Sequence, residues 1–356
     1  MFPRSRASLL CAFLAVAAIC PVACSAGGSG TARPPRSAHA AERSRDRGSR
    51  AAALVQRTQP VPNATESPSG AQGITSPRLR ITFLAIGQGD SALLESDDGH
   101  AALIDSGPPE GSTHLSEVLA AHHVARLDWL MHSHPHLDHI GGAGAILGRI
   151  AVDRVIDPAF PHPLVTYERL LARINEIAIP FQRALTGGRL TIGAHVAVEI
   201  LLPHDPFIQG TRSDVNSNSI VARVTTGTVS VLFTGDAERE TEERLLHEGA
   251  SHLASDVLKI AHHGSRFAST PEFLTAVTPH YAVISCATGN DYGHPHAATL
   301  ESLSQRGIAF YRTDLEGDVS MQTDGTVVRF DTERSAETAA MLVPGQRESH
   351  AAPAHE

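Results

Sequence analysis

The stretch His134-Pro135-His136-Leu137-Asp138-His139 places three imidazoles and one carboxylate within six positions. Apolar residues at 127 and 129–131 precede it and indicate a buried strand that ends near Ser133, and a Gly-Gly pair follows at 141–142. A strand end lets side chains converge on one point instead of alternating between two faces. Imidazole and carboxylate suit zinc, manganese or iron. The stretch therefore predicts a metal site that could lower the pKa of a bound water to about 7.

Two other predicted strands also end in candidate ligands. Residues 231–233 are apolar and lead to Asp236, whose two oxygens could bridge two metal ions, although a helix N-cap is an alternative role. Residues 258–261 lead to the tandem His262-His263 and, after a glycine, to Ser265. One of these histidines could be a metal ligand and the other its support, and Ser265 could bind a phosphate or carboxylate oxygen. The chain holds 21 His, so a single histidine would mean little.

Two residues are candidates for supporting roles. Asp105 ends a predicted strand and would orient a metal-binding histidine from outside the metal site. His294 lies in the loop 290–296 and would contact substrate, or it is a turn histidine without a role. We interpret the remaining histidines as surface or structural residues, among them His122, His123, His162, His195, His204 and His252.

Residues 1–26 have the pattern of a secretory signal peptide. A basic start precedes an apolar run at 9–19, which is too short to span a membrane comfortably, and small residues follow it. Cys24 lies in a sequence similar to a bacterial lipobox, except that Pro21 stands where leucine is usual. We therefore expect a secreted, periplasmic or extracellular protein, with a lipid anchor at Cys24 as an alternative to release.

The segments on either side of the body lack the patterns of a folded core. Residues 27–79 are rich in Pro, Ser, Ala, Gly and Arg and predict a disordered linker, and residues 336–356 predict a flexible tail. Residues 1–80 contain 11 Arg and 3 acidic residues, a charge of +8; since the whole chain carries −9, residues 81–356 carry −17. An acidic body argues against tight, sequence-independent binding of duplex DNA, although bound divalent cations would attract phosphates locally.

The body, residues 80–335, is predicted to be one α/β domain, because short strands alternate with helices and no internal linker interrupts them. Besides the strand that ends near Ser133, the predicted strands are 80–86, 91–95, 101–104, 196–202, 220–224, 229–233, 257–261 and 281–285, with short strands near Phe310, Val319 and Val327. The predicted helices are 115–122, 167–179, 240–247, 271–277 and 300–306.

These pieces, in this order, resemble the metallo-β-lactamase superfamily, and most of all the hydrolase domain of ComEC/Rec2-type competence proteins. The resemblance covers about residues 80–330. Its matching pieces are residues 85–91, 103–107, 133–142, 218–221, 232–236, 258–265 and 292–295. The resemblance implies a four-layer αββα sandwich with a two-metal site at one edge of the sheets.

The resemblance also implies a ligand set and two divalent ions, Zn²⁺ or Mn²⁺. The first ion would take His134 and His136, the second would take Asp138, His139 and either His262 or His263, and Asp236 would bridge. Many members of the superfamily have another histidine where this chain has Asn218. Water or Asn218 would then complete the first site, and the sequence leaves open whether both sites fill.

We expect a secreted or envelope-attached metal-dependent hydrolase, a phosphodiesterase or nuclease whose partner is a phosphodiester substrate. Asp138 and Asp236 would act in catalysis, with Asp138 orienting the attacking water. His294, Ser265 and Asn218 are the candidates for substrate contact. No protein partner is predicted.

Two alternatives stay open at this point. Hydrolysis of a β-lactam, an ester or a wall-linked phosphodiester would use the same site. A non-catalytic module that binds nucleic acid or an envelope polymer belongs to a different class. The presence of His134, His136, Asp138, His139 and Asp236 together argues against it.

Overall fold

The computed structural model describes residue 74 and residues 76–334 of the 356-residue chain. The predicted signal peptide, most of the predicted linker and the predicted tail lie outside these residues. Within the described part, no helix combines the length and the apolar character needed to cross a lipid bilayer.

The strands and helices of the described residues are short and numerous. The strands are β1 (Leu79–Phe83), β2 (Ala92–Ser96), β3 (Ala101–Ile104), β4 (Arg126–Leu127), β5 (Trp129–Met131), β6 (Ala151–Val152), β7 (Val155–Asp157), β8 (Phe181–Arg183), β9 (Arg189–Ile192), β10 (Val196–Leu202), β11 (Val221–Thr226), β12 (Val229–Phe233), β13 (Val257–Lys259), β14 (Tyr281–Ile284), β15 (Ala309–Arg312), β16 (Val319–Thr323) and β17 (Val328–Thr332). The helices are α1 (Ser112–Ala121), α2 (Leu137–Ile140), α3 (Val165–Glu176), α4 (Asp214–Ser217), α5 (Arg239–Gly249), α6 (Pro271–Val277), α7 (Ala297–Gln305) and α8 (Thr313–Glu316).

Two mixed sheets hold most of these strands. The first has the order β17-β16-β1-β2-β3-β5-β7-β8 and the second the order β15-β14-β13-β12-β11-β10-β9. Strand β5 pairs in parallel with β3 and β7, and β13 pairs in parallel with β12 and β14. Because parallel neighbours end at the same edge of a sheet, the loops that follow β5, β12 and β13 can meet.

The buried apolar residues form three clusters. Between the sheets, Ile81 and Phe83 of β1 lie in the same buried cluster as Val231 of β12, and the rings of Phe83 and Phe233 stack with centroids 5.8 Å apart. Side chains of α1 and α3 cover the outer face of the first sheet. Side chains of α5, α6 and α7 cover the outer face of the second sheet. The four-layer αββα sandwich expected from the sequence is confirmed.

Several predicted elements keep their bounds, and others shift for local reasons. Strands 196–202 and 229–233 and helix 271–277 have the predicted limits. The strand predicted at 257–261 ends at Lys259, because the backbone turns into a left-handed conformation at His262 and His263. Strands β6–β9 were not predicted. The single strand predicted from Leu127 to Ser133 is divided into β4 and β5 and ends at Met131.

Candidate metal centre

The loop after β5 brings four polar side chains to one edge of the sandwich. Ser133 anchors it: the Ser133 N–H and hydroxyl each donate a hydrogen bond of 2.7 Å to the carboxylate of Asp105. His136 has an extended backbone, and helix α2 begins at the next residue. Asp138 and His139 therefore lie in the first turn of a short helix, and their side chains share the region that His134 reaches from the strand end.

Asp236 lies at the centre of this arrangement. Its Oδ1 is 3.3 Å from Nε2 of His139 and 3.7 Å from Nε2 of His263. Its Oδ2 is 3.7 Å from Nε2 of His134 and 3.6 Å from Nε2 of His262. The two oxygens of one buried carboxylate thus face two different groups of histidines.

Two groups of donors around Asp236 could each hold a metal ion. Asp138, His139, Asp236 and His263 have ligand atoms within 4.8 Å of one another, and so do His134, His136 and Asp236. Bonds of 2.0–2.2 Å in a tetrahedral zinc site place ligand atoms about 3.3 Å apart. Among the described residues, Nε2 of His139 and Oδ1 of Asp236 are buried without a hydrogen-bond partner. A divalent cation fits these donors.

The opposite nitrogens of three of these histidines face carboxylates. Nδ1 of His139 lies 2.8 Å from Asp105 Oδ2. Nδ1 of His262 lies 3.1 Å from Glu238 Oε1, but the angle at the nitrogen does not meet that of a hydrogen bond. Nδ1 of His263 lies 3.0 Å from the carbonyl oxygen of Ser285 and 3.3 Å from Asp90 Oδ1. Such partners fix the orientation of an imidazole ring and leave Nε2 free for a metal.

The electrostatics of the centre favour bound positive charge. Burial raises the pKa of Asp236, but His139, His262 and His263 outweigh burial and hold it well below the usual range. Burial lowers the pKa of His263, but Asp236 and Asp90 outweigh that effect and raise it to about 10. Burial, with the neighbouring His139, lowers the pKa of His134 well below its usual value, so this ring is neutral and ready to act as a ligand.

A buried ion pair behind His263 was not found from the sequence. Nζ of Lys259 lies 2.7 Å from Asp90 Oδ2 and donates a second hydrogen bond of 3.1 Å to the carbonyl oxygen of Ile260. Burial raises the pKa of Asp90, but Lys259 and then His263 outweigh it and hold the pKa below the usual range. In the sequence, Asp90 belongs to a Gly-Gln-Gly-Asp turn, and the only local signal was an acid next to a glycine.

The three predicted substrate contacts have different surroundings. The Asn218 amide donates hydrogen bonds to the carbonyl oxygens of Ile208 (2.8 Å) and Asp214 (2.7 Å), so it is used within its own loop and we leave it out of the proposed ligands. The hydroxyl of Ser265 is buried and accepts a 3.3 Å hydrogen bond from a backbone N–H.

His294 lies beside the candidate metal ligands. Its ring centroid is 5.4 Å from that of His262 and 6.1 Å from that of His263. Burial, followed by the charges of these two histidines, lowers the pKa of His294 to about 4. Its ring is therefore neutral at physiological pH.

A groove lies next to the donor group formed by His134, His136 and Asp236. Its volume is about 630 Å³, and Phe160, His162, Phe181 and side chains of α3 line it. The ring of His162 packs edge-on against that of His136, with centroids 5.5 Å apart. From the sequence we interpreted His162 as a surface or structural residue, but the structure places it between the groove and the candidate ligands.

Residues 84–288 match the family model of the metallo-beta-lactamase superfamily, which is more than half of the chain. The chain belongs to the metallo-β-lactamase superfamily. Members of this superfamily are generally hydrolases, and the His and Asp groups around Asp236 are capable of binding metal.

Three curated relatives have names that refer to a ComE operon, to competence and to recombination. The chain is 28% identical over 267 residues to ComE operon protein 3 of Bacillus subtilis (strain 168), covering 70% of this chain and 34% of the relative. It is 35% identical over 240 residues to competence protein ComA of Neisseria gonorrhoeae, covering 67% and 31%. It is 31% identical over 252 residues to recombination protein 2 of Haemophilus influenzae, covering 69% and 29%. The chain therefore spans about one third of the length of these relatives.

Proposed function

We propose that the chain is a metal-dependent phosphodiesterase that cleaves nucleic acid or a smaller phosphodiester. The observation that carries this proposal is the position of Asp236, which presents one oxygen to each of two groups of histidines. A carboxylate shared in this way is typical of two-metal hydrolases, many of which act on phosphate esters. The names of the relatives, which refer to competence and recombination, support a nucleic-acid substrate.

Two divalent ions, Zn²⁺ or Mn²⁺, would be held by the two donor groups described above. Bound there, they would lower the pKa of a water to about 7 and polarise a phosphoryl oxygen. The mixed set of imidazoles and carboxylates suits either metal.

Three side chains of the protein would act on the substrate and the attacking water. Asp138 is partly exposed, and its Oδ2 lies 3.3 Å from Nε2 of His263, so the remaining oxygen can accept a hydrogen bond from the attacking water and orient it. His294, neutral and half-buried, would contact a substrate oxygen. Ser265 is the third candidate, through a movement of its buried hydroxyl.

The groove beside His136 would accept the part of the substrate next to the scissile bond. Phe160, His162 and Phe181 present aromatic rings along its wall. Aromatic rings bind nucleobases by stacking with little sequence preference, at about 1–3 kcal/mol per base. An acidic body with a cation-loaded centre would therefore bind single strands through their bases rather than through many backbone contacts.

The direct test is cleavage of an end-labelled single-stranded oligonucleotide by the full chain, with Mn²⁺ or Zn²⁺ added and with a chelator. We expect cleavage that requires metal and is lost in Asp138→Asn. His280→Ala, a change of an exposed histidine outside the centre, is the matched control and should cleave like the wild type. Bound metal without any cleavage would contradict the nuclease proposal.

The same preparation separates the alternatives. Hydrolysis of bis(p-nitrophenyl) phosphate without oligonucleotide cleavage would favour a small or wall-linked phosphodiester. Hydrolysis of a chromogenic β-lactam or of p-nitrophenyl acetate, with no phosphodiester cleaved, would favour the lactam or ester alternative. Tight oligonucleotide binding without turnover would favour a non-catalytic module.

We also propose that the protein is exported, with residues 1–26 as the leader and residues 27–79 as a tether. The basic start, the short apolar run and the small residues before Cys24 support this location. Mass spectrometry of the mature amino terminus tests it. A lipid-modified Cys24 in the wild type, absent in Cys24→Ala, would support the anchor, and an intact Met1 would contradict export.

A further inference from the structure

The tandem histidines after β13 adopt an unusual backbone. His262 has φ 49° and ψ 46°, and His263 has φ 54° and ψ 24°, both in the left-handed region. This conformation is unfavourable for residues with a Cβ, and it is retained where the surrounding structure enforces it, often at functional sites. Consecutive side chains in a strand would point to opposite faces. Here both rings approach Asp236, with centroids 6.1 Å apart and planes at 71°.

The two rings approach different oxygens of that carboxylate. His263 is 3.7 Å from Oδ1, the oxygen that also faces His139. His262 is 3.6 Å from Oδ2, the oxygen that also faces His134. His262 therefore lies on the side of His134 and His136, outside the group of donor atoms that these two histidines and Asp236 place within 4.8 Å of one another. To share an ion with them, the His262 ring would move inward.

A buried carboxylate supports the His262 ring from behind. Oε1 of Glu238 lies 3.1 Å from Nδ1 of His262, and the Glu238 side chain is 2% exposed. Arg212 pairs with the same carboxylate, and the Asn216 amide donates to it a hydrogen bond of 3.2 Å. With Nδ1 facing Glu238, the free nitrogen of His262 is Nε2, which faces Asp236. Glu238 thus lies behind His262 as Asp105 lies behind His139, although only the Asp105–His139 contact has the geometry of a hydrogen bond.

We infer that His262 is a ligand of the first metal site, which it forms with His134, His136 and Asp236, while His263 serves the second site. Each histidine of the tandem pair is thus a ligand of one of two neighbouring ions. Glu238 is the positioning residue for His262. This inference rests on the proposed function, since it assumes that the centre binds divalent cations.

The test measures how many metal ions the protein binds rather than its catalytic turnover. The full chain is stripped with a chelator, reloaded with Zn²⁺, desalted and analysed by plasma mass spectrometry, and the affinities are measured by competition with a chromophoric chelator. We expect two ions in the wild type and one each in His262→Ala and His263→Ala. His252→Ala, which removes an exposed histidine outside the centre, should retain two. Loaded with Co²⁺, the two single-ion variants should show different visible spectra, because each retains a different ligand set.

Glu238→Gln is a second test, because it leaves His262 itself unchanged and alters only its partner. We expect the first ion to bind about 10–100-fold more weakly and the second ion to bind as in the wild type, since outer partners of metal-binding histidines have effects of this size. Circular dichroism checks that each variant is folded.

Three results would overturn the inference. They are two ions of unchanged affinity in His262→Ala, an unchanged first-site affinity in Glu238→Gln, and a wild type with one ion that is lost only in His263→Ala. In the last case oligonucleotide cleavage could persist, and the proposed function would stand without the inference. A wild type that binds no ion would overturn both.

Discussion

The loops after β5 and after β13 bring candidate ligands to the same centre in different ways. The first spreads His134, His136, Asp138 and His139 over six positions, using one extended residue and one helical turn. The second places two donors at adjacent positions and requires a left-handed backbone at both. An ordinary backbone with spaced donors and a strained backbone with adjacent donors can therefore reach the same carboxylate. The difference predicts that the second loop is more sensitive to backbone changes.

Asp236→Asn removes the feature that the two loops share and should have the largest effect. Because one oxygen faces each donor group, we expect both ions to be lost or severely weakened. The loss of metal catalysis, several kcal/mol, corresponds to a fall in turnover of about 10³-fold or more. Metal analysis and oligonucleotide cleavage measure it. One ion retained at wild-type affinity would show that Asp236 does not link the loops.

Asp90→Asn tests the support of the second loop. It leaves the buried Lys259 without its partner, and we expect the free energy of unfolding to fall by about 3–5 kcal/mol. Denaturant unfolding measures this change. The double variant Asp90→Asn/Lys259→Met removes both charges and should recover much of the loss. Equal stability of the single and double variants would mean that the ion pair is not the cause.

Gly264→Ala tests the strain of the second loop directly. Gly264 has φ +84°, and a Cβ there would lie 2.6 Å from Cβ of Pro295. Gly99 is the matched control, because it has φ +85° and a Cβ there would have open space. We expect a loss of about 1–2 kcal/mol in Gly99→Ala from the backbone alone. Gly264→Ala should lose about 1–3 kcal/mol more from the contact. Thermal or denaturant unfolding that gave equal losses would argue against a tightly held second loop.

Asp105→Asn tests the support of the first loop and should have the smallest effect. The substitution keeps the size of the side chain but weakens its hydrogen bond with His139. We expect the ion held by Asp138, His139 and His263 to bind about 10–100-fold more weakly, with the fold intact. Chelator competition measures the affinity. A loss of both ions would place Asp105 in a wider role than orienting one ring.

Much of the first loop could be predicted from the sequence, because donor types, spacing and a preceding apolar strand are local signals. The choice between His262 and His263 could not be predicted, since it depends on two backbone angles that no pattern of residue types encodes. The residues behind the rings were missed for another reason. Lys259 and Asp90 are 169 positions apart, so only the folded sheets bring them together.

The unpredicted strands show where periodicity is informative. In β9, Leu190 and Ile192 are buried and the residues beside them are exposed, so alternation was available as a signal. In β8, at the edge of the first sheet, no residue is fully buried and no alternation exists. Asn218 was predicted as a ligand because many members of the superfamily have a histidine at its position. Its amide instead donates hydrogen bonds to the backbone of its own loop.

Lys259 is the only lysine in the 356-residue chain, and its ammonium group is buried against Asp90. A reagent that acylates primary amines would therefore reach Nζ of Lys259 only after the sheets separate near the centre. The rate at which Lys259 is acylated therefore measures how often this part of the molecule opens. Bound metal should lower the rate of Lys259 acylation.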